Sequence, residues 1–185
     1  GATGAVGETM LSILKERKFP IDKIYALASS RSVDKTVQFG SRTLIVEDLA
    51  EFDFNTVDLT LFSAGGSISA KYAPIAGATG CIVIDNTSYF RNEKDIPLCS
   101  PEVNPEALNN YKPRNIIANP NCSTIQMLVA LAPIHKAVGI KKINVATYQS
   151  VSGAGQSGIE ELANQTKDLL SFQPIKKEVF TEQIA

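Results

Sequence analysis

The sequence predicts an α/β fold, a doubly wound parallel sheet followed by the opening of a second α/β region. Three observations predict it. Short apolar segments rich in Ile, Val and Leu recur along residues 23–118 with helix-length pieces between them, and strand alternating with helix is the pattern of a parallel sheet wound on both faces. The chain opens on Gly1-Ala2-Thr3-Gly4-Ala5-Val6-Gly7, glycines spaced for a tight turn into a helix. Beyond Asn119 the texture changes to a long apolar helical stretch and one further strand-like segment. That change places a domain boundary between residues 119 and 120.

Taken in order, the first helix runs from Val6 through Met10, Ile13 and Leu14, spacings that put these side chains on one face, before Lys15 to Pro20 end it. Strands are expected at 23–28 (KIYALA), 43–46, 58–63 (DLTLFS), 81–85 (CIVID) and 115–118, each short and apolar enough for a buried position. Residues 67–78 read as a helix in which Pro74 predicts a kink or a late start. After the boundary come a helix over 124–138, a strand over 142–149 and, past Gly153-Ala154-Gly155, a helix around 159–170. Both ends read as unfinished. A dinucleotide-binding fold carries a strand ahead of its glycine turn, and the second region contains only one strand, so the chain reads as a piece of a longer protein.

Eighteen Lys and Arg against nineteen Asp and Glu, with no basic stripe, leave the 185 residues without an electrostatic footprint for nucleic acid or an anionic membrane. A small-molecule ligand is the expected partner. Cys81, Cys99 and Cys122 are odd in number and form no C-x-x-C pair, so neither a disulfide framework nor a zinc site is indicated, and a reducing, cytoplasmic compartment is expected. No apolar stretch approaches the roughly 18 to 20 residues of a membrane span, and no basic leader precedes an apolar core.

Gly1, Gly4 and Gly7 would let backbone amides approach a pyrophosphate at a helix N-terminus; the other reading is an ordinary loop before a helix. The strand ending at Ala28 runs into Ser29-Ser30-Arg31-Ser32, with no acid for a ribose 2′-hydroxyl. Arg31 and its serines suit a 2′-phosphate, which favours NADP over NAD, unless Arg31 is one more solvated loop charge.

Cys122 sits in Asn119-Pro120-Asn121-Cys122-Ser123-Thr124. Pro120 keeps the incoming chain out of the helix that Ser123 and Thr124 open, and the dipole of that helix is worth up to about 1 to 2 kcal/mol to an anion. A catalytic thiolate belongs in such a place. Cys81 and Cys99 fit the commoner fate of a small buried hydrophobe. The single histidine, His135, lies thirteen residues further along the same helix, roughly 20 Å away, and cannot be the base for Cys122. It reads as a surface histidine near a helix C-terminus, and any catalytic histidine is expected outside this chain.

Gly1 to Gly7, Ala28 to Ser32, Val83 to Arg91, Pro101-Glu102-Val103-Asn104, Asn119 to Gln126 and Tyr148 to Gly155 together resemble the aspartate-β-semialdehyde dehydrogenase family, across the whole chain and in order. The resemblance implies a Rossmann-type NADP-binding domain over 1–119, its first strand missing, and the beginning of a catalytic and dimerisation domain over 120–185. It implies that β-aspartyl phosphate is reduced with NADPH to aspartate semialdehyde through a thioester on Cys122, in a homodimer, on the way to lysine, threonine and methionine. Gln149 resembles the glutamine that orients substrate beside the nucleophile, and Arg91 the arginine that binds the phosphate. Thr3, Gly4, Ala5 and Val6 match the pyrophosphate loop, Arg31 and Ser32 the 2′-phosphate site, and Ser152 and Gly153 a second cofactor contact. Ser63-Ala64-Gly65-Gly66, at a strand end, would line the same crevice. Two alternatives stand beside this: another acyl-phosphate reductase, such as N-acetyl-γ-glutamyl-phosphate reductase, whose nucleophile usually follows a Gly-Cys-Tyr-Pro-like pattern, or a dinucleotide-binding or dimerisation fragment without activity.

Overall fold

The computed structural model describes residues 1–185. Helix α1 (Ala5–Glu16) starts directly from the glycine turn, with Gly4 as its cap in extended backbone. Its buried residue is Leu11, and Leu14 packs beside it, whereas Ile13 is exposed. The buried face therefore follows Gly7, Leu11 and Leu14 rather than the expected Met10, Ile13 and Leu14, because Gly7 is where the helix meets the turn backbone.

Strand β1 (Ala26–Ala28) pairs in parallel with β3 (Arg42–Asp48), and β2 (Thr36–Phe39) pairs antiparallel with β3 through a tight connection at Gly40, φ +63°. Strand β2 was absent from the expectation. Its Val37 and Phe39 alternate with exposed Thr36 and Gln38, which is an edge-strand pattern too short to stand out by periodicity. Strands β4 (Leu59–Phe62), β5 (Ile82–Asp85) and β6 (Ile116–Ala118) form a second, wholly parallel sheet in the order β4-β5-β6. The strands of the α/β fold thus fall into two hydrogen-bonded groups of three, one carrying an antiparallel edge.

Helix α2 (Gly66–Ala78) packs on β4 to β6 through Ala73 and Ala76, and it runs through Pro74 with its start at Gly66. The late start does not occur; Pro74 removes one ladder donor only. Asn115, at φ +53°, donates from Nδ2 to the Gly77 carbonyl at 2.9 Å and so fixes the entry of β6 against α2. The larger core gathers Phe54, Phe62, Val83, Phe90, Ile96 and Ile116, and the smaller gathers Leu11, Val37, Phe39, Leu44 and Val46. Leu27 of β1 packs against the larger core, and Tyr25 meets Phe52, which packs there too, edge-on at 5.2 Å.

Helix α3 (Cys122–Val138) follows β6, and α4 (Gln156–Leu170) follows a single 3-10 turn at Val151–Ala154. The strand expected over 142–149 is not formed. Ile143, Val145 and Tyr148 are exposed there, because an extended segment becomes a strand only by pairing and the rest of the second region supplies helices and turns. Behind α4 the chain is fastened by side chains. Glu161 accepts from the amides of Glu178, Val179 and Phe180, while Gln165 donates to the Lys176 carbonyl at 3.2 Å and accepts from Ile184 at 2.9 Å. No helix is long and apolar enough to cross a membrane.

Candidate active site

Parallel pairing sends the C-terminal ends of β4, β5 and β6 to one edge of their sheet, where ligands of open α/β sheets bind. The glycine turn reaches that edge from the other sheet. The Gly1 amine and Ala2 amide both donate to the Leu27 carbonyl, at 3.1 and 3.0 Å, and a Cβ on Gly1 would lie 3.1 Å from Ala64. Gly1 therefore sits between the ends of β1 and β4. At Gly7 a Cβ would run into the Gly1 carbonyl and approach the Ala2 Cα to 2.9 Å, so the turn closes only with glycine there. The Gly4 amide closes the turn on Gly1 at 3.1 Å, whereas those of Thr3, Ala5, Val6 and Gly7 have no acceptor in the chain. Free amides at a helix N-terminus are donors for an anion.

Two further pieces border this turn. Ser30–Ser32 forms a 3-10 turn directly after β1, with Arg31 exposed and unpaired. Ser63 to Gly66 leads into α2, with Gly65 at φ +96° and a Cβ on Gly66 lying 3.7 Å from that of Tyr89.

A polar network continues along the edge past β5. Fully buried Asp85 accepts from Ser69 Oγ at 2.7 Å, Thr87 N at 3.1 Å and Thr87 Oγ1 at 2.8 Å. Arg91 donates from Nε to the Asn119 carbonyl at 2.9 Å and from Nη2 to the Asn86 carbonyl at 3.1 Å. Asn119 Nδ2 in turn donates to Asn86 Oδ1 at 2.7 Å. Three residues beyond Asn119, hence at most about 11 Å along the chain, Cys122 is the first residue of α3 and is exposed. Asn121 caps that helix by accepting from Ser123 N at 3.1 Å and Thr124 N at 3.4 Å. The cap occupies the Ser123 and Thr124 amides at the head of the helix; the amide of Cys122 itself remains free.

Comparison with known proteins decides the family. Residues 1–111 match the family model described as semialdehyde dehydrogenase, NAD binding domain, and residues 131–185 match semialdehyde dehydrogenase, dimerisation domain. The chain belongs to the semialdehyde dehydrogenase family. Among curated relatives, aspartate-semialdehyde dehydrogenase 2 of Vibrio cholerae is 62% identical over the whole chain and 55% of its own length, and the Legionella pneumophila aspartate-semialdehyde dehydrogenase is 62% identical over 53% of its length. The crystal structure of aspartate semialdehyde dehydrogenase II complexed with ASA from Vibrio cholerae superimposes with a TM-score of 0.95 at 61% identity, covering 100% of this chain and 55% of that one. A Candida albicans aspartate semialdehyde dehydrogenase with NADP is more distant, with a TM-score of 0.61 at 29% identity over 76% of this chain and 46% of that one. The chain spans about half the length of the curated relatives it matches.

In this semialdehyde dehydrogenase chain the expected site residues fall into two groups. Thr3 and Gly4 lie on the turn before α1 and Ala5 and Val6 open that helix, Arg31 and Ser32 follow β1, Arg91 follows β5, and Cys122 heads α3 just after β6. Gln149, Ser152 and Gly153 are not tied to them: Gln149 donates to Thr147 at 2.9 Å, and Ser152 bonds Ser150 through both its amide, at 3.2 Å, and its hydroxyl, at 3.0 Å. Their exposed stretch, with 142–149 unpaired, carries no ladder that would bring them to Cys122. His135 Nδ1 accepts from the Ile140 amide at 3.0 Å and so ties the chain leaving α3 to its last turn, matching its reading as a histidine near a helix C-terminus. Asn86 and Asn119 are what sequence reasoning missed. Their signal was an amide directly following each of two neighbouring buried strands.

A cavity of about 510 Å³ lies between α4 and residues 173–179 and is lined by Glu160, Asp168, Lys167 and Lys176 among others. It holds no predicted site residue.

Proposed function

We propose that this chain works in the NADPH-dependent reductive dephosphorylation of β-aspartyl phosphate to aspartate semialdehyde, with Cys122 as the nucleophile. The observation that carries the reading is the placement of Cys122 at the head of α3, three residues after the carbonyl that anchors Arg91. The names of the relatives favour the aspartyl substrate over that of the N-acetyl-γ-glutamyl reductases.

Residues 1–119 form the cofactor domain and 120–185 open the catalytic and dimerisation domain of a homodimer. Exposed Val129, Ile134 and Val138 on α3, together with Ile143 and Val145, supply apolar surface for an assembly. The free amides of Thr3, Ala5 and Val6 fit a pyrophosphate, with Gly4 shaping the turn between them, so Thr3, Gly4, Ala5 and Val6 would hold that group. Arg31 and Ser32 would hold a 2′-phosphate, and Ser152 and Gly153 would bear on the nicotinamide end. When bound, the dinucleotide supplies the hydride.

The chain's own residues carry the covalent step. The Cys122 thiolate attacks the acyl carbon, a C–S bond forms, the C–O bond to phosphorus breaks, and inorganic phosphate leaves with the electron pair. The free Cys122 amide can donate to the carbonyl oxygen as charge gathers on it. Arg91 binds the phosphate and steadies its departure, and Gln149 orients the substrate. Reduction of the thioester releases the aldehyde and returns the thiolate.

Full-length protein is expected to consume β-aspartyl phosphate with NADPH, and Cys122→Ser to lower kcat by roughly four orders of magnitude or more. Substantial turnover in that variant would overturn the assignment. For the cofactor, Arg31→Ala should weaken NADP and leave NAD unchanged; equal affinities for the two in the unmodified protein would remove the 2′-phosphate argument.

A further inference from the structure

We propose that Asn119 is a positioning residue that sets the aim of Arg91 relative to Cys122, acting through Asn86. The inference rests on the reading of Arg91 and Cys122 given above.

The geometry is a closed ring. Arg91 Nε and Nη2 are the two donors on one edge of the guanidinium, and they grip carbonyls of Asn119 and Asn86, at 2.9 and 3.1 Å, which follow adjacent strands β6 and β5. The 2.7 Å bond from Asn119 Nδ2 to Asn86 Oδ1 ties those two residues together, and the Asn119 amide donates to the Asp85 carbonyl at 2.8 Å. Asn119 therefore uses its amide, its carbonyl and its side chain at once.

Two consequences follow from the chemistry of the fork. Holding the side edge leaves an Nη1–H and an Nη2–H at the end of the guanidinium for a bidentate contact with an anion. The ring also leaves little slack toward the thiol. Pro120 is buried with a fixed φ, and Asn121 is committed to capping α3. The spacing between the free end of Arg91 and Cys122 is thus decided where Asn119 is pinned.

The test uses full-length protein in the reverse direction, where aspartate semialdehyde, NADP and inorganic phosphate are substrates. Asn119→Ala and Asn119→Asp, the second placing acceptor against acceptor, should each raise the KM for phosphate by about tenfold or more, the scale of one lost hydrogen bond. NADP affinity and the rate of Cys122 alkylation by iodoacetamide should stay within about twofold, since neither depends on Arg91. In an Arg91→Lys background, which lacks the fork, Asn119→Ala should add nothing further. Should Asn119→Ala fail to retain NADP affinity, Asn86→Ala is read in its place, because it breaks the same ring and leaves the chain beside Cys122 unaltered. A phosphate KM unchanged in these variants, or effects that multiply with Arg91→Lys, would overturn the inference. Absence of phosphate-dependent turnover in the unmodified protein would instead overturn the proposed function.

Discussion

The Ser69 hydroxyl donates to Asp85 Oδ1 at 2.7 Å between α2 and β5, and both side chains are fully buried. With the amide and hydroxyl of Thr87 also donating to Asp85, the carboxyl at the end of a core strand is met from three donors. It fastens α2 to the turn that carries Asn86 and Arg91. Asp85→Ala leaves those donors buried without an acceptor and should destabilise the protein by about 3 kcal/mol, against about 1 kcal/mol for Ser69→Ala. Urea denaturation midpoints check the order; equal losses would mean that the other two donors do not count.

The three cysteines divide by environment. Burial, and then the negative charges of Glu106 and Glu102, push the Cys99 thiol up; burial does the same for Cys81, reinforced by Asp58 and opposed by the Thr60 hydroxyl. Cys122 is exposed. Limiting iodoacetamide at neutral pH should therefore modify Cys122 on the order of 100-fold faster than the other two, which peptide mapping by mass spectrometry would read. Comparable labelling at Cys81 or Cys99 would contradict the burial described.

Gly7→Ala pits two local effects against each other. Alanine gains roughly 1 kcal/mol of helix propensity, but its Cβ would collide with the Gly1 carbonyl and sit 2.9 Å from both the Ala2 Cα and the Ala2 carbonyl oxygen. Backbone cannot step aside as a side-chain tip can, so the turn must open. NADP affinity should fall about tenfold or more while helical content is kept. Calorimetric titration showing unchanged affinity would take the glycine turn out of the cofactor site.

Glu161 carries a pH dependence whose sign is set by its partners. Burial pushes its carboxyl up, but the amides of Val179, Glu178 and Phe180 with the side chain of Gln165 outweigh that and hold it below the ordinary value of 4.5. A lowered folded value stabilises above the ordinary one and loses that contribution as pH falls through the folded one. The stretch from Lys176 to Ile184 should stay fastened to α4 above pH 4.5 and loosen below it. Hydrogen exchange at residues 178–180, corrected for intrinsic rates, should rise on acidification, and Glu161→Gln should show fast exchange already at neutral pH. Exchange insensitive to both would refute the clamp.

Residues that act through their own backbone neighbourhood were legible in the sequence. The glycine turn, the helix headed by Cys122, the helix-end role of His135 and five of the six strands all follow from local pattern and turn chemistry. Strand β2 escaped because its alternation spans only Thr36 to Phe39, and the expected strand over 142–149 failed because a strand is a relation between two segments rather than a property of one.

What the amino-acid sequence determined by itself is the α/β class, the glycine turn into α1 and the burial of Cys81 and Cys99, since each rests on contacts within a few residues or on burial pattern. What only the tertiary structure decided is that Arg91, Asn86 and Asn119 form one unit. These residues are up to 33 positions apart, and parallel pairing of β5 with β6 brings their carbonyls side by side. Hydrogen bonds of that reach exist only once the strands are in register, so no local reading could have drawn the ring that holds Arg91.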